Sequence, residues 1–380
     1  MPKYIDLLRS HQSPASRRDE PGPPAEDILQ AEAAFTHDAT GRFFAESGDG
    51  PPAHTSNADR EAAWLNRFTD DALAIFKAAE RREPANLDDI SQQIRFLIQS
   101  VKQDGDVVNR LELYINVEAG RIRSVDDDLG GLVEKSVMML LYTLKVGLQL
   151  RLNEDELLSL MLAGILHHIG MAQVPAGIRR KKGELSEDER EQIDLAPAKA
   201  TAYLRESGIS DERILSAVSQ AGERHDGSGP QGLKDGEISR TARIIGLLSM
   251  FEALIHYRAY RKRLLPRDAV RELIMNHKSA FDPAMLKCLI DTISLYPVGT
   301  YIQLNSGDIG QVIRVHRRLP LRPVVRLSMD RHGNGIVPRD INLQTQPNLM
   351  VKRCMYREEL AEISQQDKEA GACTQDNQKQ

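Results

Sequence analysis

The longest apolar run in the sequence, LLSLMLAGIL at 157–166, most constrains the fold. It lies within ELLSLMLAGILHHI, which is apolar on almost every side of a helix, and such a helix belongs at the centre of a core. The run has about ten residues, too few for the roughly twenty that a membrane-spanning helix needs. It therefore predicts the central helix of a helical domain, ended by Gly170, without membrane insertion.

Helical periodicity surrounds this run on both sides. Asn153 before three acidic residues is a typical N-cap, and later stretches begin with Ser, Asp or Pro, which favour helix starts. One of these, SEDEREQIDLAPAKATAYLRES, is predicted as a single helix. Together these signals predict an all-α domain at 120–295 and a helical N-terminal module of unknown specificity at 57–119.

The pattern changes to short alternating stretches after residue 295. TYIQL, IGQVIRVH and PVVRLSM are rich in β-branched residues and are separated by turn sequences. They predict a small antiparallel β domain, SH3-like, at 296–350. The polar residues at 1–56 predict a flexible segment, and those at 351–380 a polar tail. The fold class is therefore mainly α, a helical bundle with a helical N-terminal region and a small C-terminal antiparallel β domain.

Composition limits the classes of partner and the compartment. A net charge of −5 argues against a nucleic-acid binder that works by bulk charge. The basic residues of the β domain lack interleaved exposed aromatics, so nucleic acid is not an expected partner. The arginines considered there are Arg314, Arg317, Arg318 and Arg322. The widely spaced Cys288, Cys354 and Cys373 and an N-terminus without signal-peptide features predict a reducing, cytoplasmic location.

Two clusters carry residues suited to metal chemistry. His167 and His168 are adjacent on the predicted helix, so their side chains should point about 100° apart and cannot chelate one ion as a pair. Glu223, His225 and Asp226 lie in the glycine-rich ERHDGSG, where Asp226 is placed to cap backbone amides. Each cluster has two open interpretations, a metal ligand set or hydrogen-bonded structural residues, and neither alone predicts an active site.

The order of motifs across 130–295 adds a resemblance to a known family. HHIG, VPAGIRRKKGELSEDEREQI, ERHDGSG, ISRTARIIGLLSMFEAL and YRAYRKRL follow one another in this order. The region resembles the HD-GYP family, a branch of the HD phosphohydrolases that hydrolyses the bacterial messenger cyclic di-GMP. The resemblance implies an HD-type helical bundle and two or three iron or manganese ions, held by histidines and carboxylates, that activate water. The β segment resembles an extension found in some members.

The chain departs from the ligand pattern that this resemblance implies. The His-Asp pair of the family is His167-His168 here, and an imidazole cannot bridge two metals through oxygen as a carboxylate does. The Gly-Tyr-Pro motif is Ser-Gly-Pro at 228–230, and Met171 replaces a usual lysine. Other expected ligand positions are occupied by Lys135, Ala196, Ala221, Gly222 and Ser249. His167 alone remains of the expected ligands.

We therefore expect a catalytically degenerate HD-GYP-like protein that acts as a regulatory or binding module in bacterial cyclic di-GMP-type signalling. His167 and His168 are then vestigial, with no catalytic residue and no cofactor, and the partners are signalling proteins such as GGDEF-type proteins or response regulators.

Two alternatives remain open. One is an active phosphodiesterase that uses iron or manganese; its candidate ligands are His167, His168, Glu223, His225 and Asp226. The other is a non-hydrolysing sensor of cyclic di-GMP; its candidate phosphate-binding residues are Arg258, Arg261 and Lys262.

Overall fold

The computed structural model describes residues 57–122, 129–181, 183–255, 264–316, 319, 321–355 and 359. The predicted flexible segment at 1–56 and most of the C-terminal tail lie outside this range. The helices before the central one are α1 (Asn57–Arg81), α2 (Asp88–Gln103), α3 (Val107–Ile122) and α4 (Gly130–Gln149). The helices that follow are α5 (Glu154–Leu166), α6 (Ala176–Arg179), α7 (Glu187–Asp194), α8 (Ala196–Glu206), α9 (Glu212–Gln220), α10 (Arg240–Ile255), α11 (Pro266–Asn276) and α12 (Pro283–Thr292).

The N-terminal helices bury one apolar stripe each against their neighbours. In α2 the buried side chains include Ile90, Ile94 and Leu97, at the three- and four-residue spacing that places them on one face. Through α2 and α3 this module packs directly on α5 and α4, respectively. No helix among the described residues is long and apolar enough to cross a membrane.

Helix α5 is the centre of the bundle, as the sequence predicts. All ten residues from Leu157 to Leu166 are buried. α2, α4, α9 and α10 pack around this helix. Its N-terminus has a full capping box: the Asn153 side chain accepts from the Glu156 amide, and the Glu156 carboxylate accepts from the Asn153 amide. These contacts fix where the helix begins. Its C-terminus lies inside the protein, because the residues up to Leu166 are buried.

Two predicted helix limits are wrong. α5 ends at Leu166 and not at Gly170, because a 3₁₀ turn, Ile169–Gln173, continues through the glycine. A Cβ atom at Gly170 would overlap the carbonyl oxygen of Ala196, so this glycine serves the close approach of α8. The stretch predicted as one helix is two, α7 and α8, which meet at Leu195 before a proline in the first turn of α8.

The C-terminal region forms a small antiparallel sheet, which confirms the predicted β domain. Its strands are β1 (Tyr301–Leu304), β2 (Ile309–Arg314), β3 (Val324–Met329), β4 (Gly335–Asn342) and β5 (Val351–Met355), in the order β4-β3-β2-β1-β5. The predicted limit at residue 350 is too early, because β5 returns to pair with β1 through Tyr301 and Met355. One face of the sheet buries a core of its own that includes Ile302, Val312 and Leu327.

Asp211 joins α5 to α9 and gives a prediction about pH. Its carboxylate caps α9, pairs with Arg213 at 2.8 Å and accepts from Ser159 Oγ on α5 at 2.6 Å. The hydrogen bond from Arg213 lowers the pKa of Asp211 to about 2, against an opposing effect of burial and with help from Ser159. Because the pKa is depressed in the folded state, this stabilisation is present above the unfolded value of about 3.9 and is lost as the pH falls towards 2.

We therefore expect Asp211→Asn to lower the free energy of unfolding by about 1–2 kcal/mol at pH 7. The difference from the wild type should shrink between pH 4 and pH 2. Urea unfolding over this pH range measures it, with the exposed Asp70→Asn as the matched control. A wild-type–variant difference that is unchanged at pH 2 would contradict the assignment.

Candidate functional site

His167 is the first residue after α5, and its side chain is only 8% exposed. Its Nδ1 atom lies 2.6 Å from the carbonyl oxygen of Gly164, so Nδ1–H donates to that carbonyl. Nε2 lies 3.2 Å from Ser249 Oγ on α10 and accepts from this hydroxyl. Both ring nitrogens are therefore hydrogen-bonded within the protein, and the lone pair that would face a metal is directed at Ser249.

The same end of α5 receives a second donor. Ser136 Oγ on α4 lies 2.8 Å from the carbonyl oxygen of Ile165, to which it donates. The last carbonyls of a helix have no partner within the helix, and burying them without one is costly. Ser136 and His167 together satisfy two of these carbonyls, so His167 has a structural use in this position.

Burial keeps the His167 ring neutral. Burial lowers the pKa of His167 to about 4. The hydrogen bond to Gly164 and the negative charge of Glu252 raise this pKa, but their effect is smaller than that of burial. The positive charge of Lys135 acts in the same direction as burial. At neutral pH the ring is therefore an uncharged imidazole with its proton on Nδ1.

His168 does not diverge from His167 as predicted. The two ring centroids are 3.8 Å apart with the planes tilted by 36°, so the prediction of side chains about 100° apart is wrong. The reason is that both residues lie in the turn after α5, where His168 has φ −94° and ψ 3°. The two imidazole rings therefore contact each other in a tilted arrangement.

The buried Glu223 side chain holds the glycine-rich loop by hydrogen bonds to its backbone. Its carboxylate is 5% exposed and accepts from the backbone amides of Gln231 at 2.9 Å and Leu233 at 3.1 Å. A Cβ atom at Gly229 would fall 2.5 Å from the Glu223 Cα, so only glycine lets the loop fold back this closely. The next residue, Arg224, donates to the Glu223 carbonyl at 2.8 Å and lies over the Phe281 ring.

His225 and Asp226 extend the same loop. The His225 amide donates to the carbonyl of Ala280, and its Nδ1 lies 3.6 Å from the Asp235 carboxylate. Asp226 is exposed, and its Oδ1 accepts from the Ser228 amide at 3.0 Å, as the capping interpretation predicts. The loop residues are thus engaged in holding the turn.

The remaining candidate residues are placed as follows. Arg258, Arg261 and Lys262 lie outside the described residues, as do Arg317, Arg318 and Cys373. Arg314 is exposed, whereas Arg322 donates to the carbonyl of Leu349 at 2.7 Å and so holds two loops of the β domain together.

The described side chains do not fit an iron or manganese centre. Within the part of the chain that the structure describes, no three His, Cys, Asp or Glu side chains are grouped so that they could hold a metal ion. The Nε2 atom of His167 is hydrogen-bonded to Ser249, and the nearby Lys135 contributes a positive charge. A protonated amine is not a ligand and repels a cation.

Comparison with known proteins identifies the domains. Residues 121–285 match the model of the HD domain family, and residues 301–363 match the family of the KOW domain associated with the HD domain. The cyclic di-GMP phosphodiesterase PA4108 of Pseudomonas aeruginosa is 28% identical over 194 residues, 51% of this chain and 47% of that protein. Residues 121–285 are therefore similar to HD domains, and we call this region the HD domain and residues 301–363 the KOW domain.

Two further proteins are similar to this chain. The cyclic di-GMP phosphodiesterase PdeB of Borreliella burgdorferi is 30% identical to the chain over 191 residues, 50% of each protein. The chain thus spans about half the length of these two relatives. Bd1817, an HDG"Y"P protein from Bdellovibrio bacteriovorus, shares the fold at 12% identity with a TM-score of 0.50, over 70% of this chain and 80% of that one.

The contacts that define the HD site were only partly predictable. The capping role of Asp226 follows from its place before a glycine in a turn sequence. The bond between His167 and Ser249 joins residues 82 positions apart, and no local pattern indicates it. The use of Glu223 on two loop amides was also missed, although an acid before a glycine-rich loop is a signal for it.

Glu223 gives a prediction about the stability of the HD domain. Glu223→Ala leaves the partly buried amides of Gln231 and Leu233 without their acceptor, and hydrogen bonds to a charged group contribute about 1.5–3 kcal/mol. We expect the free energy of unfolding to fall by roughly 2–3 kcal/mol and the hydrogen exchange of both amides to accelerate.

Asp226→Ala is the matched control, because this carboxylate is exposed and its loss should cost less than about 1 kcal/mol. Chemical denaturation and amide exchange measure both variants. Equal stability of Glu223→Ala and the wild type would show that the carboxylate does not hold the loop.

Proposed function

We propose that this protein is a regulatory or binding module of cyclic di-GMP-type signalling that does not hydrolyse the nucleotide. The observation that carries the proposal is the state of His167, whose Nε2 is hydrogen-bonded to Ser249 instead of facing other metal ligands. The class of pathway comes from the relatives, two of which are named cyclic di-GMP phosphodiesterases.

The chemistry of phosphodiester cleavage supports this proposal. Metal-dependent hydrolysis needs ions that lower the pKa of bound water and offset the charge on the phosphate oxygens. The described HD site supplies the imidazoles of His167 and His168, a serine hydroxyl, and the opposing charges of Lys135 and Glu252 near His167. Such a set neither concentrates divalent ions nor deprotonates water at neutral pH.

The proposal assigns a part to each region. The HD domain is the scaffold, the helices at 57–119 are the input or docking part, and the KOW domain is a further interaction surface. The partners are cytoplasmic signalling proteins, such as GGDEF-type proteins or response regulators.

A second candidate is an active metal-dependent phosphodiesterase, which the names of the relatives favour. Metal content and turnover separate the two functions. For the full chain prepared with iron and manganese, we expect less than one ion per chain and no release of product from cyclic di-GMP. An enzyme of this class should hold about two ions per chain.

His167→Ala is the control for this experiment. Metal-dependent turnover in the wild type that disappears in this variant would overturn the proposal, because it would make His167 a working ligand. Elemental analysis of both proteins, run beside the assay, shows whether turnover and bound metal are lost together.

Nucleotide binding without cleavage is the remaining form of the proposed function. Calorimetry with cyclic di-GMP distinguishes it: saturable heat without turnover, lost in Arg258→Ala, would identify a sensor. Absence of heat would leave a role in binding other proteins.

A further inference from the structure

A cavity of about 120 Å³ lies where the N-terminal helices, the HD domain and the KOW domain meet. α3 contributes Asn109 and Glu112, and α4 contributes Lys145. Asp291 near the end of α12 and His316 after β2 complete the polar part of the lining. Three parts of the chain that are distant in sequence therefore share one small space.

An ion pair forms the buried part of this cavity. Lys145 Nζ lies 2.8 Å from Glu112 Oε1, with the two side chains only 12% and 5% exposed. Because each of these charges has the other as its partner, Lys145 is not available to a second anion without leaving Glu112 buried and unpaired, which is costly.

Asp291 sets the charge of the cavity. It is exposed, and within the described part of the chain no ion pair engages it. The Nε2 atom of His316 lies 3.2 Å from Asn342 Oδ1, within hydrogen-bonding distance. The charged lining therefore comprises two carboxylates, Glu112 and Asp291, against one ammonium, which leaves one negative charge.

The rest of the lining is partly apolar. Val108, Leu148 and Val315 come from α3, α4 and the segment after β2. A short hydrocarbon chain fits such walls, because removing apolar surface from water favours binding.

We propose that this cavity binds a small aliphatic amine, with its ammonium group at Asp291 and its hydrocarbon chain against Val108, Leu148 and Val315. The size supports a ligand of a few heavy atoms, because sites for drug-sized molecules occupy roughly 300–1,000 Å³. The size and the negative charge both exclude a cyclic dinucleotide. The site is thus independent of the function proposed for the HD domain.

A bound amine would contact the N-terminal helices, the HD domain and the KOW domain at once. A ligand that binds only the folded arrangement stabilises it by mass action. Amine binding therefore raises the stability of this junction, and it gives the helices at 57–119 a chemical input.

Calorimetry on the full chain with n-butylamine and the diamine putrescine tests the proposal. We expect saturable heat with both amines and none with butanediol, which has a similar chain and no charge. Asp291→Asn should weaken amine binding by about tenfold or more, equivalent to about 1.4 kcal/mol. Asp188→Asn, an exposed acid on α7 that does not line the cavity, is the matched control and should bind as the wild type does.

Thermal unfolding provides the second measurement. The amines should raise the melting temperature of the wild type and of Asp188→Asn but not of Asp291→Asn. Absence of saturable heat with either amine would overturn the proposal, and so would equal affinity of the wild type and Asp291→Asn. Because Asp291 is exposed, its replacement should leave the fold intact, and the melting curve without ligand verifies this.

Discussion

The burial of ten consecutive residues of α5, from Leu157 to Leu166, is the constraint on which the rest of the HD domain depends. Such a segment needs neighbours on every side, and α2, α4, α9 and α10 supply them. Each fully buried aliphatic side chain contributes about 1.5–3 kcal/mol. The same burial removes the last carbonyl groups of the helix from water, which is unfavourable because they have no partner within the helix. Ser136 and His167 resolve it by donating to Ile165 and Gly164.

Tyr142 is a buried phenol under the electrostatic influence of two buried carboxylates. Burial raises the pKa of Tyr142 well above its usual value, and the negative charges of Glu112 and Glu252 raise it further. Tyr142 also packs edge-on against Phe251 of α10. Glu112 lines the junction cavity, and Glu252 acts on His167. One neutral phenol thus lies in the electrostatic field of both sites, so a change of charge at either is felt at the same residue.

Local patterns predicted the elements whose limits are set locally. The start of α5 follows from its capping box, and the mainly α fold with a small antiparallel domain follows from the two periodicities. Features decided by distant contacts were not predictable. Gly170 accommodates α8 instead of ending a helix, and His168 turns its ring onto His167. β5 has mostly exposed or half-exposed side chains, including Lys352 and Arg353, so it lacked the apolar alternation of a core strand.

The substitutions at the HD site form a physically consistent set under the proposed non-hydrolysing function. The resemblance to HD-GYP proteins places carboxylates at the positions of His168 and Ser249 and a histidine at Lys135. Carboxylates kept in this interior without cations would be uncompensated charges, each costing several kcal/mol. A serine that donates to His167 and an imidazole that stacks on it add no negative charge. Lys135 supplies a positive charge that opposes that of Glu252 at the ring. Under the proposed function, Lys135 offsets the effect of Glu252 on His167, and a carboxylate at position 249 would add a further negative charge beside the ring.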